Sequence, residues 1–205
     1  MMMKTAAVFA TTLLASAAAF APASQTAAPT ALCESPYSNE VGVQAPTGLF
    51  DPFGLLEGVP QEGFDKLRYI ELKHGRVAML AVVGYLTTAA GIRFPGAGDV
   101  PDGLKAFSAL AATEDGKNVL LQMTAFFALA EIVNRDIPGT GNEFPGDFRN
   151  GAIDYGWANL SDETKLQKRA IELNNGRAAQ MGILGLVIHE SIGVSILPGG
   201  YLPGQ

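Results

Sequence analysis

The sequence has few of the residues that cross-link small domains or hold bare metal ions. Its 205 residues include one cysteine, Cys33, and two histidines, His74 and His189. A single cysteine excludes an intrachain disulfide, and these three residues cannot assemble a Cys/His-rich zinc site. Charge is also scarce, because charged residues make up 17% of the chain, against about 25% in ordinary soluble domains. The net charge of −6, without a basic block, argues against a nucleic-acid partner.

The first 31 residues predict a cleaved presequence rather than folded structure. A short basic start, residues 1–4, precedes an apolar run over 6–19 that ends in three alanines. This order is typical of a secretory signal with a small-residue cleavage site. Residues 20–26, which begin at Phe20, are rich in alanine and hydroxyl side chains, as in a transit peptide. The alternative is a plain secreted protein, and in both cases the folded domain is predicted to occupy 32–205.

Three long helices are predicted, at about 64–91, 117–134 and 161–193. Glycine and proline punctuate the chain after each of them, and an extended Pro/Gly-rich arm, 35–63, precedes the first. Ser161, followed by two acids, is a suitable N-cap for the last helix. The connection over 94–116 has room for one short helix, around 104–112.

The composition of these helices favours a membrane over water. The longest uncharged stretch within them, 77–92, has sixteen residues, fewer than the eighteen that make a span obvious. Three core helices of a soluble domain are therefore the alternative. However, the first and third helices would be roughly 40–50 Å long at 1.5 Å per residue, and their uncharged halves have no polar face. We predict an all-α membrane protein with three transmembrane helices, of which the first and third are long.

An internal repeat dominates the sequence. Residues 68–78 align without gaps to residues 169–179, with seven of eleven positions identical in the pattern R-x-I-E-L-x-x-G-R-x-A. Internal repeats of this kind indicate duplicated structural units. The first and third helices are therefore predicted to be structural equivalents, crossed and related by a pseudo-two-fold axis.

The spacing of the repeat predicts ion pairs between the two helices. Arg76 follows Glu71 by five residues, which places it about 140° away around the helix, so the two cannot easily pair. Crossed helices offer Glu71 to Arg177 and Glu172 to Arg76, which neutralises charges that are costly at membrane depth. Gly75 and Gly176 leave out side chains where two backbones, or a backbone and a flat ligand, come close.

Single Lewis bases accompany these pairs. Each paired glutamate keeps one carboxylate oxygen to spare, and His74 and Asn175 lie three residues further on the same helix faces. His189 lies fourteen residues after Asn175, on a similar face and about 21 Å along the helix. An isolated base in apolar surroundings suits a metal that needs one axial ligand, such as magnesium in a tetrapyrrole, whereas a bare transition metal needs several converging ligands.

Three further polar residues are candidate ligands. Gln122 and Glu131 lie on the second helix, where Glu131 could instead sit at the membrane interface near Arg135. Gln180 could ligate a metal or form only a hydrogen bond. The Glu71-x-x-His74 spacing also fits di-iron carboxylate enzymes, but these need the motif twice, and the second copy has Asn175. We therefore predict no enzyme.

These helices resemble those of the light-harvesting chlorophyll-binding superfamily, and the resemblance covers roughly 45–200. It implies a crossed pair of membrane helices in which Glu71, His74, Glu172 and Asn175 ligate chlorophyll magnesium, with Arg76 and Arg177 as the partners of the glutamates. It also implies that the Asp51–Leu55 turn supports a carotenoid. We assign the equivalent turn before the third helix to 145–148, where the motif is degenerate.

Residues 172–190, which end in His189 and Glu190, resemble the third helix of the diatom fucoxanthin chlorophyll a/c-binding proteins. This resemblance implies chlorophyll a, chlorophyll c, fucoxanthin and the xanthophyll-cycle carotenoid diadinoxanthin as cofactors. It implies an antenna in the plastid thylakoid membrane whose partners are membrane lipids, other antenna subunits and the core of photosystem I or II. The presequence resembles that of plastids of red-algal origin. A photoprotective, quenching member of the same family is the alternative.

Overall fold

The computed structural model describes residues 36–97, 100–135, 137, 140–151, 154–197 and 200. The predicted presequence, 1–31, lies outside these residues. The chain divides into two compact units, Met1–Ser38 and Asn39–Gln205, and every helix described below belongs to the second unit.

The described part of the chain is helical, with four α-helices. These are α1 (Gln61–Ala89), α2 (Lys105–Ala112), α3 (Glu114–Val133) and α4 (Asp162–Ile192), and a 3₁₀ turn, Trp157–Asn159, precedes α4. The three long helices correspond to the predicted segments 64–91, 117–134 and 161–193. The connection after α1 also folds into the short helix α2, in the place where a short helix around 104–112 was expected.

Local capping explains where the helices begin and end. Ser161 accepts a hydrogen bond from the Thr164 amide at 3.3 Å, as predicted for the N-cap of α4, and Thr113 does the same for the Gly116 amide of α3 at 3.1 Å. Gly193, with φ of 73°, closes α4 in the left-handed conformation. α1 begins directly after Pro60, whose fixed φ suits a helix start.

α1 and α4 pack against each other, and α2 packs against α3. The buried apolar side chains of the first pair include Leu72 and Ala78 of α1 and Leu173 and Leu186 of α4. Both helices run in the same direction through their crossing, because Gly75 and Gly176 meet near the middle of each helix and Tyr85, near the end of α1, donates a hydrogen bond to Glu190, near the end of α4. The sequence repeat therefore lies at the centre of the helix pair.

Much of the apolar surface of these helices faces outwards. Among the described helices, α3 alone is long and apolar enough to cross a membrane by length and composition. Nearly all of its residues are exposed, and large exposed apolar side chains also lie on α1 and α4, among them Leu80 and Met181. Contiguous exposed apolar surface of this extent needs an apolar covering.

Candidate functional site

The two long helices cross at a pair of glycines. A Cβ built on Gly75 would lie 2.9 Å from the Cα of Gly176, and one built on Gly176 would lie 3.0 Å from the Cα of Gly75. Both glycines are buried. Of the two reasons predicted for them, close approach of two backbones is therefore the one that the structure shows.

Two reciprocal ion pairs flank these glycines. Arg76 Nε donates to Glu172 Oε1 at 2.6 Å, and Arg177 Nε donates to Glu71 Oε1 at 2.7 Å. We call these two contacts the crossed ion pairs. They confirm the prediction made from the 140° offset between each glutamate and the arginine of its own helix.

Each arginine of the crossed ion pairs also holds the loop that precedes one of the helices. Arg177 Nη1 donates to the carbonyl of Gly42 at 2.8 Å, and Arg76 Nη1 donates to the carbonyl of Gly146 at 2.8 Å. Both glycines have positive φ, 94° and 85°. A Cβ on Gly42 would meet the side chain of Leu173 at 2.2 Å, so this position needs glycine for both conformation and space. These loop contacts were not predicted from the sequence.

The two glutamates differ in their second carboxylate oxygen. Glu71 Oε2 accepts a charge-assisted hydrogen bond from Arg68 Nη1 at 2.6 Å. Glu172 Oε2 has no hydrogen-bond partner among the described residues. The repeat places Arg169 where Arg68 stands, but its guanidinium lies 4.3 Å above the ring of Phe144 instead. The predicted spare oxygen is therefore found on Glu172, and for Glu71 that prediction was wrong.

Both histidines present one ring nitrogen for ligation. His74 Nδ1 lies 2.8 Å from the carbonyl of Ile70, and His189 Nδ1 lies 3.2 Å from the carbonyl of Val194. A carbonyl oxygen only accepts, so Nδ1 must carry the proton in the neutral ring. The lone pair is then on Nε2, as in histidines that bind metals axially.

The other predicted ligands fall into two groups. Asn175 and Gln122 have exposed side chains that make no hydrogen bond within the described chain, so both amide oxygens are accessible. Gln180 Nε2 points to the carbonyl of Glu71 at 3.4 Å, which is the hydrogen-bonding alternative. Glu131 forms an ion pair with Lys73 of α1, which neutralises its charge.

Cavities adjoin these side chains. One of about 700 Å³, mostly apolar, lies along α1 and α4 and is lined by Lys73, His74 and Gln180 and by aliphatic residues such as Val77 and Leu184. Another, of about 510 Å³, includes Glu172. A third, of about 440 Å³, includes Glu71. Volumes in this range are typical of small-molecule sites.

An Asp-containing turn precedes each helix of the crossed pair, α1 and α4. Asp51 Oδ1 accepts from the Leu55 amide at 2.9 Å, and Asp154 Oδ2 accepts from the Ala158 amide at 3.0 Å. A glycine with positive φ follows each aspartate, Gly54 at 64° and Gly156 at 77°. The equivalent of the Asp51 turn is therefore 154–158, and its assignment to 145–148 was wrong. The shared signal is an aspartate four residues before the amide that it caps.

Residues 143–149 form a separate hydrogen-bonded network around the buried Asp147. Asp147 is 3% exposed and accepts from Arg149 Nε at 2.9 Å and from the Glu143 amide at 3.1 Å. Burial alone would raise the pKa of Asp147, but the hydrogen bonds from Arg149 and from two backbone amides outweigh it and hold this pKa below its ordinary value. The hydrogen bond from the Trp157 indole, followed by that from Lys165, likewise lowers the pKa of Glu143.

The donor set fits single axial ligation. The described residues contain no group of three or more His, Cys, Asp or Glu side chains that could hold a metal ion together. They offer instead isolated bases, each a single glutamate, histidine or amide, and among these bases Glu71, His74 and Glu172 lie beside cavities. Magnesium at the centre of a tetrapyrrole already has its planar ligands and requires one such base.

Comparison with known proteins agrees with this geometry. The family model described as "Chlorophyll A-B binding protein" matches residues 37–191. Fucoxanthin-chlorophyll a-c binding proteins F and A of Phaeodactylum tricornutum are 52% and 53% identical to the chain over 201 residues, which cover 94% of this chain and 98% of each relative. A fucoxanthin-chlorophyll a-c binding protein of Trieres chinensis is 51% identical over 193 residues, covering 90% of this chain and 93% of the relative. All three are named as chloroplastic. The family match spans both repeats, their crossed ion pairs and the loops that these hold, and the chain belongs to the chlorophyll a/b-binding protein family.

Proposed function

We propose that this chain is a light-harvesting antenna protein of the plastid thylakoid membrane and performs no bond chemistry. The observation that carries the proposal is the crossing of α1 and α4, where paired glutamates stand beside single bases and apolar cavities. The family and the named relatives support the same function. When bound, the pigments supply light absorption and excitation transfer. The chain supplies their positions.

The residues of α1 and α4 have distinct tasks in this proposal. Five residues would each hold the magnesium of one chlorophyll: Glu71, His74, Glu172, Asn175 and His189. Arg76 and Arg177 neutralise the glutamates, which otherwise would not be stable as charged groups in apolar surroundings. Gln122 and Glu131 are candidate ligands on α3, whereas the contact of Gln180 with the Glu71 carbonyl favours a positioning role for it.

The relatives' names extend the pigment set. They describe proteins that bind fucoxanthin, chlorophyll a and chlorophyll c, and we infer these cofactors for this chain, with diadinoxanthin as a further carotenoid. The turns at Asp51 and Asp154 expose one aromatic ring each, Phe53 at 85% and Tyr155, where carotenoid end groups could be supported. When bound, fucoxanthin and chlorophyll c would supply excitation energy to chlorophyll a.

We further infer three membrane spans, formed by α1, α3 and α4, with α1 and α4 related by a pseudo-two-fold axis. The support for the axis is the reciprocity of the crossed ion pairs and the matching bonds from Arg177 to Gly42 and from Arg76 to Gly146. Apolar side chains exposed on all three helices would contact lipid, pigment or neighbouring subunits. Other antenna subunits and the core of photosystem I or II are the expected protein partners.

Reconstitution with pigments tests the proposal. The full chain, refolded in detergent with a total pigment extract, should retain chlorophyll a, chlorophyll c and fucoxanthin after gel filtration. Light absorbed by fucoxanthin should then appear as chlorophyll a fluorescence in the excitation spectrum. A chain that folds but retains no chlorophyll, or carotenoid absorption that produces no chlorophyll emission, contradicts the antenna function. A short fluorescence lifetime at low pH would instead favour the quenching alternative.

A further inference from the structure

The two glutamates of the repeat are the same residue in the same motif, yet their surroundings differ. Glu71 accepts hydrogen bonds from two arginines, Arg177 on Oε1 and Arg68 on Oε2. Glu172 accepts from one, Arg76 on Oε1. Arg68 and Arg169 occupy equivalent positions of the repeat. The different partners of the two glutamates therefore result from residues outside the repeat.

The residue four positions before each arginine explains the difference. Phe64 is buried on α1, and the Arg68 guanidinium lies 5.1 Å from the centre of its ring. Arg68 is thereby held with only 10% of its side chain exposed. The repeat places Lys165 where Phe64 stands. Lys165 pairs with Glu143 at 3.1 Å and offers no ring to hold an arginine.

Arg169 is instead drawn to the loop before α4. Its guanidinium lies 4.3 Å above the Phe144 ring, and within the described chain it forms no ion pair with Glu172. A cation held over an aromatic face is stabilised by the ring electrons. Among the described residues, the second glutamate is therefore left with one hydrogen-bonded counter-ion and one unengaged oxygen, and Arg169 acts on it only at longer range.

We propose that Arg68 is a positioning residue that weakens chlorophyll binding at Glu71, so that the Glu172 site fills first and more tightly. The inference rests on the proposed function. A carboxylate that shares its charge with two guanidinium groups is a poorer Lewis base than one that shares it with one. Magnesium at Glu71 also competes with a charge-assisted hydrogen bond at 2.6 Å, among the stronger hydrogen bonds in proteins. A difference in affinity on the order of tenfold between the two sites follows.

A matched pair of substitutions tests this proposal. Arg68→Gln and Arg169→Gln make the same chemical change at equivalent positions of the repeat. Each is made in the full chain and in chains that also carry Glu71→Ala or Glu172→Ala, which report how much bound chlorophyll depends on each glutamate. Chlorophyll a is titrated into the detergent-solubilised chain from substoichiometric amounts, and bound pigment per chain is counted after gel filtration.

In the parent chain, substoichiometric chlorophyll should depend on Glu172 and hardly on Glu71. Arg68→Gln should lower the half-saturation concentration of the Glu71-dependent site about tenfold and make the two sites fill together. Arg169→Gln should leave the half-saturation concentration of the Glu172-dependent site unchanged within about twofold. The proposal is overturned if Arg68→Gln leaves the Glu71-dependent site unchanged or weakens it, or if Glu71 fills first in the parent chain.

A conservative variant covers the case in which Arg68→Gln does not fold, as judged by circular dichroism. Arg68→Lys keeps the positive charge but not the planar fork, so it should strengthen the Glu71-dependent site by a few fold. An unchanged or weakened site in this variant also overturns the proposal. Failure of the parent chain to bind any chlorophyll is a different outcome, because it contradicts the antenna function itself.

Discussion

Gly75 of α1 and Gly176 of α4 are in direct backbone contact, so that a single methyl group on Gly75 would come within 2.9 Å of the Gly176 Cα. The obstacle is main chain rather than a flexible side chain. The two helices can accept a larger residue at this point only by moving apart, and the crossed ion pairs beside it would lengthen with them.

Gly75→Ala should therefore destabilise the folded complex, although alanine is the better helix former. Overpacking of a tight contact costs about 1–3 kcal/mol, which exceeds the gain of about 1 kcal/mol in helix propensity. Gly84→Ala is the matched control on the same helix, because nothing lies within 4 Å of its added Cβ. The control should keep or raise the thermal unfolding midpoint in detergent. Equal midpoints for both variants would show that the contact is not limiting.

Removing the two arginines of the crossed ion pairs should have unequal effects. Arg76→Leu leaves Glu172 without a hydrogen-bonded counter-ion among the described residues, whereas Arg177→Leu leaves Glu71 paired to Arg68. The cost of Arg76→Leu should be about 1–3 kcal/mol, between the ranges for exposed and buried ion pairs, and that of Arg177→Leu should be smaller. Arg76→Leu should lose mainly the pigment at Glu172, and Arg177→Leu mainly the pigment at Glu71. Both losses are measured as the number of chlorophylls per chain. Equal pigment loss at both glutamates in either variant would contradict the crossed pairing.

The ion pair between Lys73 and Glu131 links α1 to α3, and its two possible roles can be separated by exchange. Lys73→Glu alone should loosen α3 and lower the unfolding midpoint. The exchanged pair, Lys73→Glu with Glu131→Lys, should restore the midpoint. If Glu131 also ligates magnesium, the exchanged pair stays one chlorophyll short, because the carboxylate has left α3. If Glu131 only joins the two helices, the exchanged pair should restore both the number of bound chlorophylls and the unfolding midpoint.

The buried network at Asp147 should make stability depend on acid pH. The pKa of Asp147 is lower in the folded chain than its ordinary value of 3.8. The contribution of the ionised carboxylate to the free energy of unfolding is therefore fully present well above pH 3.8 and is lost as the pH falls through the folded pKa. Asp147→Asn should cost about 1–3 kcal/mol at pH 7 through the lost charge-assisted hydrogen bonds. The gap between the two unfolding midpoints should narrow at about pH 3. A gap that is the same at both pH values would exclude ionisation of Asp147 as its source.

Sequence alone predicted the helix pair and its central contacts because the decisive information was local and repeated. A glutamate and an arginine five residues apart cannot meet on one helix, and a second copy of the motif supplies the partners. Glycine and proline marked the ends of the helices for similarly local reasons. The position of His74 three residues after Glu71 fixed which face it shares.

The remaining contacts depend on how distant segments are folded. Nothing in the repeat distinguishes Arg68 from Arg169, since the difference comes from Phe64 on one side and from Phe144, in a loop, on the other. The partner of Glu131 depends on how the connection through α2 places α3. The Asp154 turn was missed because its glycine stands two residues after the aspartate, whereas in the Asp51 turn it stands three residues after.

The unequal partners of Glu71 and Glu172 also match the order in which the chain is made. Arg177 follows Glu71 by 106 residues, so the ribosome completes the first glutamate long before its cross-helix partner exists. Arg68, three residues earlier, is already there to neutralise it. Glu172 never lacks its cross-helix partner, because Arg76 precedes it in the chain by 96 residues. Glu71, which is synthesised first, therefore has a counter-ion on its own helix. Glu172, which is synthesised later, pairs with an arginine that already exists.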